Sequence, residues 1–467
     1  KCIEVSKYTK FPEILDGRVK TIHPKIHSGI LYKRDNSKHK KILKNLKFEG
    51  IDLVITNFYP FKKTLARTSN HIKIIENIDI GGPTLVRSAA KNYKDVVVIT
   101  KISQYKELIN ELNRYKGKTS IRFREKLSKE AFGETASYDS SIYNYFNSIS
   151  KKIIPDKLIF DANLIKHLRY GENPHQFGGI YSNNESFELS KLQGKDLSYN
   201  NYNDIFAALN LSKLLPKNRG VVIVKHANAS GVSIEKDQLK SYKSAVESDP
   251  ISAFGGVVSC NYKLNFKTAK EIIKNFYEVI IANGFDQKTK KLLKQKKNLR
   301  VLDSSKIILK KDYEIISGID SLLIQTKDNS VFNKKNFKIV SKMKPTKKMM
   351  DQLIFSLNVC RSVKSNAIVI SQNGKTLGIG SGQPSRLDSC KIAIKKMIKF
   401  NQYNKSEPLV AASDAFFPFI DGIEKLVQAG VNAVIQPYGS IRDKEIIKFA
   451  NDMGIVLVFS KTRHFNH

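Results

Sequence analysis

The chain has 467 residues, 41% of them hydrophobic, and a formal net charge of +37. That length exceeds one ordinary core and predicts roughly two to four domains. The apolar content excludes a disordered chain, and no run approaches the ~20 apolar residues that span a membrane. Lysine is spread along the whole chain, with no aromatics interleaved in its basic runs. This favours solvated faces and long-range attraction of anionic ligands over a nucleic-acid platform.

Lys1-Cys2-Ile3-Glu4 opens in polar, strand-like sequence with no signal peptide and no initiating Met, so the natural N-terminus is expected upstream. Gly17 to His27 gathers Arg18, Lys20, Thr21, His23 and His27, which suits a phosphate site and equally a solvated basic loop. The two histidines lack the His-Glu-x-x-His spacing of a metal site. Leu53 to Asn57 and Val96 to Thr100 read as strands. Between them, Gly81-Gly82 predicts a tight turn with Pro83 at the first helical position. The helix that follows would carry Arg87 and Lys91 on one face. Residues 102–146 read as helical, and Ser148 to Pro155 reads as a linker, giving domains 1–150 and 151–467.

Beyond the linker, Leu168 to Gln176 is dense in polar types without either period; Arg169 beside Tyr170 suits a planar anion, or the stretch is a polar surface loop. Val221 to Val224 reads as a buried strand ending in Lys225-His226, where a histidine suits a general base or a hydrogen-bonded strand end. Lys288 to Asn298 reads as a solvated, lysine-rich stretch. The last hundred residues carry the strongest signal. Ala367 to Ile370 and Leu377 to Gly380 flank an Asn373-Gly374 turn and release into Ser381 to Arg386. Val431 to Ile435 ends in Gln436 to Ser440, and Ile455 to Phe459 runs into Arg463 to His467. Ligands of open α/β sheets bind beyond the carboxyl ends of strands, so these junctions predict a small-molecule enzyme. Ser413 to Phe419 sets three Phe in a Pro-broken loop, suited to a flat ligand or to packing. Ser440 with Asp443 reads as a capping box. The four cysteines, Cys2, Cys260, Cys360 and Cys390, are far apart and predict buried free thiols in a reducing compartment, with no zinc site.

Taken together these segments resemble the bifunctional purine-biosynthesis family that joins aminoimidazole carboxamide ribonucleotide (AICAR) formyltransferase to inosine monophosphate (IMP) cyclohydrolase. The segments are Asp16 to Pro24, Asn57 to Phe61, Ile78 to Thr84, Leu168 to Gln176, Val224 to Asn228, Asp249 to Gly256, Val363 to Ala367, Ser413 to Phe419, Gly439 to Asp443 and Arg463 to His467. They run in the family's order from residue 16 to the last. Ala229-Ser230 stands where Pro-Cys is usual, and Gly380-Ser381 where Ala and Met are usual. The resemblance implies an α/β fold: a methylglyoxal-synthase-like doubly wound domain, then two cytidine-deaminase-like subdomains without zinc. It implies a cytoplasmic homodimer acting on AICAR, formyl-AICAR and 10-formyltetrahydrofolate as co-substrate, with no metal, nucleic acid or membrane.

For formyl transfer the resemblance implies His226 as proton acceptor. It gives Lys225 the task of keeping His226 neutral, protonating the leaving nitrogen or stabilising the oxyanion, and has Asn366 polarise the formyl oxygen. Arg169, Tyr170, Ser385, Arg386, Phe416, Arg463 and His467 would contact substrate, with Asp303 and Asp421 on the folate and nucleotide sides. For ring closure it implies Lys20, Tyr59, Asp79 and Lys91 as catalytic, with Arg18 and Thr21 holding phosphate. The alternatives are a transformylase whose cyclohydrolase half, lacking the family's first residues, is inactive, and a basic nucleic-acid-binding protein.

Overall fold

In the computed structural model, residues 2–150, 152–183, 189–307, 313–332, 334–400 and 403–467 are described. Two units divide the chain, Lys1–Asn163 and Leu164–His467. The boundary falls beyond the linker expected at 148–155, of which Lys151 lies outside the described residues. The segment after the long helix Ile121–Ile149 folds back onto its own unit. Tyr143 Oη donates to the Lys157 carbonyl at 2.7 Å, and Ser137 Oγ and Lys62 Nζ reach Asp161 at 2.6 and 3.0 Å.

The first unit holds two parallel strands, β1 (Leu53–Ile55) and β2 (Val97–Ile99), among helices that include Pro24–Leu31, Gly81–Lys91 and Ile121–Ile149. Ile30, Val86, Ala89, Val98, Ile99 and Leu127 close its core, each 1% exposed or less. Two local expectations change. Gly81, not Pro83, opens the helix Gly81–Lys91. Pro83 is tolerated because a first-turn N–H has no intrahelical partner. Residues 102–146 are not one helix. A 3-10 turn leads into Tyr105–Arg114, and the chain breaks at Lys116 and Gly117, both at positive φ, before Ser120 caps the next helix.

The second unit adds, in chain order, β3 (Asn163–Leu168), β4 (Gly178–Ser182), β5 (Ser190–Gln193), β6 (Val221–Lys225), β7 (Asn228–Ser233), β8 (Val257–Cys260) and β9 (Val279–Ala282). There follow β10 (Arg300–Asp303), β11 (Tyr313–Ser317), β12 (Leu322–Thr326), β13 (Phe337–Ile339), β14 (Ile368–Gln372) and β15 (Lys375–Gly380). The last are β16 (Val410–Ser413), β17 (Ala433–Pro437) and β18 (Val456–Ser460). β3–β4 and β11–β12 are separate hairpins; the others form one twelve-stranded sheet in the order β13-β18-β17-β16-β14-β15-β7-β6-β8-β9-β10-β5.

Successive side chains of a strand face opposite ways, and this sheet is covered on both sides, so its strands read as unbroken apolar runs. On one face Val222, Val224, Val369, Val410 and Val458 share a core with the helices Tyr199–Leu214 and Lys347–Cys360. On the other, Val221 and Ile223 meet Tyr242 and Ile272, while Ile368, Ile370 and Val434 meet Ala393, Ile423 and Ile446. Cys260, Cys360 and Cys390 are buried; Cys2 is exposed, against expectation. Ser440 and Asp443 form no capping box: the helix Asp443–Asp452 starts after Arg442. Asp443 and Ser440 instead accept the Gly439 and Arg442 N–H groups of the preceding turn.

Glycines on the sheet let two helices lie against its backbone. A Cβ on Gly378 or Gly380 would meet the Ala393 or Ser389 carbonyl at 2.0 or 1.9 Å, and one on Gly231 the Ala245 carbonyl at 1.9 Å. Gly380→Ala is expected to force the helix Arg386–Phe400 off the sheet at a cost of about 1–3 kcal/mol. Urea unfolding of the full chain would read this as a lowered midpoint; an unchanged midpoint would refute the close-approach account.

Candidate active sites

The second unit gathers its candidate residues at one edge of the sheet. Register places the end of β6 beside the start of β7, and the start of β14 beside the ends of β15 and β16. β16, β17 and β18 are parallel, so Ser413, Pro437 and Ser460 reach that edge together. Lys225 and Asn228 pair across a two-residue turn made of His226 and Ala227, at φ 53° and 56°. Such a turn demands positive φ at both central residues and is ordinarily Asn-Gly. His226 is thereby thrust out at the edge, exposed to solvent. Lys225 Nζ donates to the Phe254 carbonyl at 2.9 Å, which fixes the ammonium beside the turn.

Across the edge lies a buried ion pair. Asp414 is wholly buried and Arg386 8% exposed; the guanidinium meets the Asp414 carboxylate and donates to Ser413 Oγ at 2.8 Å and to Asn366 Oδ1 at 2.7 Å. Ser365 Oγ donates to the other Asp414 oxygen, and the Ser365–Asn366 peptide is cis. Asn366 Nδ2 donates to the Gln383 and Pro384 carbonyls at 2.8 and 2.9 Å. The amide orientation is unambiguous, because guanidinium only donates and carbonyls only accept. Both Asn366 hydrogens are therefore engaged, and as placed it holds the turn before Ser385 instead of donating to a formyl oxygen. Arg386, expected as a substrate contact, is enclosed by protein partners.

The C-terminal segment closes over this pair. His464 N donates to the Asp414 carbonyl at 2.9 Å, Asn466 N to Ser365 Oγ at 3.1 Å, and Lys364 Nζ reaches the His467 carbonyl. His464, within the Arg463 to His467 segment but given no role of its own there, is buried against Asp328. Burial raises the Asp328 carboxyl, but the His464 hydrogen bond and charge, the Ser330 N–H and Arg361 outweigh it and bring it down to about 2. Arg463 and His467 stay exposed, with Arg463 over the Phe465 ring at 4.7 Å. Phe416 is half-buried while its neighbour Phe417 is in the core, and Asp421 lies in the first turn of the helix Ile420–Gln428.

Arg169 and Tyr170 lie at the tip of β3–β4, the guanidinium 5.7 Å from the ring centroid. Asn200 Nδ2 donates to the Glu172 carbonyl at 3.2 Å and ties this loop to the helix Tyr199–Leu214. Asp303 does not join the group. β8, β9 and β10 run antiparallel to β6, so the carboxyl end of β10 lies at the opposite edge from His226. No sequence signal marks strand direction at that point.

In the first unit the candidates converge on the start of the helix Gly81–Lys91. Asp79 accepts the Gly82 N–H at 2.8 Å and the Tyr59 N–H at 3.3 Å, and its own N–H donates to Tyr138 Oη at 2.7 Å. A Cβ on Gly81 would meet Thr21 Oγ1 at 2.6 Å, so the glycine is what lets Thr21 reach the helix end. A helix N-terminus with a hydroxyl beside it suits an anion. Lys20 pairs with Glu13 at 2.7 Å, which raises its pKa, and Arg18 pairs with Glu76. Lys91 stands at the far end of that helix, about 15 Å from Gly81 at 1.5 Å per residue, and does not join Asp79 and Tyr59. Among the described residues no group of three or more His, Cys, Asp and Glu side chains is placed to hold a metal ion.

A sequence family described as the AICARFT/IMPCHase bienzyme matches residues 89–396, and one described as an MGS-like domain matches residues 1–84. The chain is similar to the bifunctional purine biosynthesis protein PurH of Thermoanaerobacter sp. (strain X514), 44% identical over 470 residues, covering 100% of this chain and 91% of that protein. It is 46% identical over 485 residues to the protein of the same description from Buchnera aphidicola subsp. Schizaphis graminum, covering 100% and 90%. The one from Bradyrhizobium diazoefficiens is 42% identical over 482 residues, covering 100% and 91%.

Two outcomes follow from these ion pairs. Asp414→Ala leaves a buried guanidinium without its partner and is expected to cost about 3–5 kcal/mol in urea unfolding; a loss below ~1 kcal/mol would mean the pair is solvated. Asp328 titrates at about 2 when folded and near 3.9 when unfolded. Its contribution to stability is present above pH ~4 and lost as pH falls through the folded value. Unfolding midpoints followed from about pH 5 to pH 2 should fall less steeply for Asp328→Asn than for the parent chain; equal slopes would refute the assignment.

Proposed function

This chain belongs to the AICARFT/IMPCHase bienzyme family, and from that premise we propose how its residues divide the work. The enzyme acts in purine biosynthesis. It transfers a formyl group to AICAR and closes the formyl-AICAR so formed to IMP, with the formyl oxygen leaving as water. A transformylase alone is not favoured, since the relatives matched along the full chain are described as bifunctional. We assign ring closure to the first unit and formyl transfer, from 10-formyltetrahydrofolate, to the second.

The AICAR amine is a weak nucleophile, its lone pair delocalised into the imidazole and carboxamide, and it must lose a proton as it attacks the formyl carbon. His226 takes that proton, and Lys225, anchored on the Phe254 carbonyl, faces the charge that develops on the formyl oxygen and on the leaving nitrogen. The observation that supports this is the His226–Ala227 turn, which presents an exposed imidazole at the edge where the Asn366, Arg386 and Asp414 network ends. Arg169, Tyr170, Ser385, Phe416, Asp421, Arg463 and His467 supply nucleotide and folate contacts; Asn366 and Arg386 shape the loop that carries Ser385. Asp303 is left out of the site.

For ring closure, Asp79 takes the carboxamide proton and Tyr59 orients the substrate. Thr21, Arg18 and the helix start at Gly81 hold the phosphate, and Lys20 faces the formyl oxygen. The closure is intramolecular, so orientation supplies most of the catalysis. No step draws on a metal. We further propose a cytoplasmic homodimer. The β11–β12 hairpin leaves Ile319, Leu322 and Leu323 at 95, 51 and 67% exposure, an apolar surface that a second copy would cover. Among the described residues no helix is long and apolar enough to cross a membrane. We propose no nucleic-acid partner.

His226→Ala is expected to slow formyl transfer by about 10²–10⁴ while ring closure of supplied formyl-AICAR proceeds unchanged. Equal loss of both activities in a folded variant would overturn the two-site assignment.

A further inference from the structure

The His226–Ala227 turn poses a physical problem. Both residues are left-handed and neither is glycine, a conformation that costs of order 1 kcal/mol or more per residue and persists only when neighbours enforce it. The enforcing group comes from the adjacent helix Tyr199–Leu214, where Asp204 Oδ1 accepts the Ala227 N–H at 2.6 Å. That helix is rigidly placed. Ser198 and Asn201 form a capping box at its start, and Ile205 and Ala208 are fully buried against the sheet. Through Asn200 it also tethers the loop that bears Arg169 and Tyr170.

We propose that Asp204 is a positioning residue for formyl transfer: its carboxylate holds the left-handed turn and stands beside the His226 imidazole as that ring takes up a proton. This rests on the reading of His226 as the proton acceptor. The proton that leaves the AICAR amine goes to His226; Asp204 neither gains nor loses one and forms no covalent bond.

The surroundings leave Asp204 as the counter-charge of the turn. Burial raises its carboxyl above the ordinary value, and the Ala227 N–H, His226 and Lys225 pull it down. Among the other elements packed on its helix, β7 and β9 carry no titratable side chain. β8 carries Cys260, whose thiol burial pushes up to about 12. Lys347, Lys348, Asp351 and Cys360 belong to the helix Lys347–Cys360, and Tyr199, Tyr202 and Lys213 share Asp204's own helix. A negative carboxylate at this point favours the imidazolium over the neutral ring, and its removal takes that support away.

The experiment is a double-mutant cycle on the full chain with Asp204→Asn, Asp204→Ala, His226→Ala and the combined Asp204→Asn, His226→Ala. It follows kcat, KM and the pH profile of formyl transfer, with ring closure and melting temperature as folding controls. Asn retains an acceptor for the Ala227 N–H but no charge. Asp204→Asn should leave both KM values within about twofold, lower kcat about 10- to 100-fold as loss of a histidine-orienting partner does, and move the acidic limb to lower pH. Asp204→Ala should be worse, and the combined variant no worse than His226→Ala alone. A slow His226→Ala beside an Asp204→Asn with parental kcat and pH profile overturns the proposal and spares the acceptor reading. So does a combined variant whose losses multiply. A His226→Ala that transfers formyl at the parental rate overturns the acceptor reading itself, and the proposal with it.

Discussion

The ion pair between Arg386 and Asp414 is the contact on which the transferase edge depends. Asp414 is wholly out of water, and a carboxylate there is tolerable only with a full set of donors. Those donors come from far apart in the chain, the guanidinium at the head of one helix and Ser365 before β14, and they meet on the loop after β16 that carries Asp414. Satisfying one buried charge therefore fixes three segments at once. A fourth, the C-terminal segment, is fastened to the same loop by the His464 N–H. Asn366 extends the network into the Gln383–Pro384 turn, so the geometry of Ser385 is inherited from a charge it does not touch.

The sheet makes this possible because its strands run in two senses. β14 and β15 oppose each other, as do β6 and β7, and the parallel group β16, β17 and β18 is oriented so that all its carboxyl ends reach one edge. Loops that must hold charged groups are gathered where the backbone has already left the ladder. The opposite arrangement of β8, β9 and β10 sends their carboxyl ends away, and Asp303 with them.

Charge operates on two scales. The excess of 80 Lys and Arg over 43 Asp and Glu creates a field that favours phosphate and carboxylate ligands approaching from any side. Local carboxylates then decide what a given cation does. Glu13 steers Lys20 and Glu76 steers Arg18 in the first unit, Asp414 occupies Arg386, and His226 and Lys225 are left facing outward with Asp204 behind the turn.

Much of this was legible in the residues themselves. Continuous apolar runs marked β6, β14, β15, β17 and β18, and Asn373-Gly374 marked the hairpin between β14 and β15, because apolar runs and turn chemistry are local properties. The polar clusters after those runs marked the edge. Lys225-His226 was visible as a strand end, yet the return through β7 was not, since His-Ala carries none of the usual signals of a positive-φ turn. What only the tertiary structure decided concerns pairing over distance. Arg386 read as a ligand contact and is a buried counter-ion; Lys91 shares a helix with the Asp79 site and stands at its other end; Asp303 ends a strand of the wrong sense. Asp414 and His464 sit inside segments the sequence marked but with no sign of their partners, and Asp204 carries no local mark at all. A side chain's chemistry is written in its own identity, but its partner depends on strand order and direction, which long-range packing alone sets.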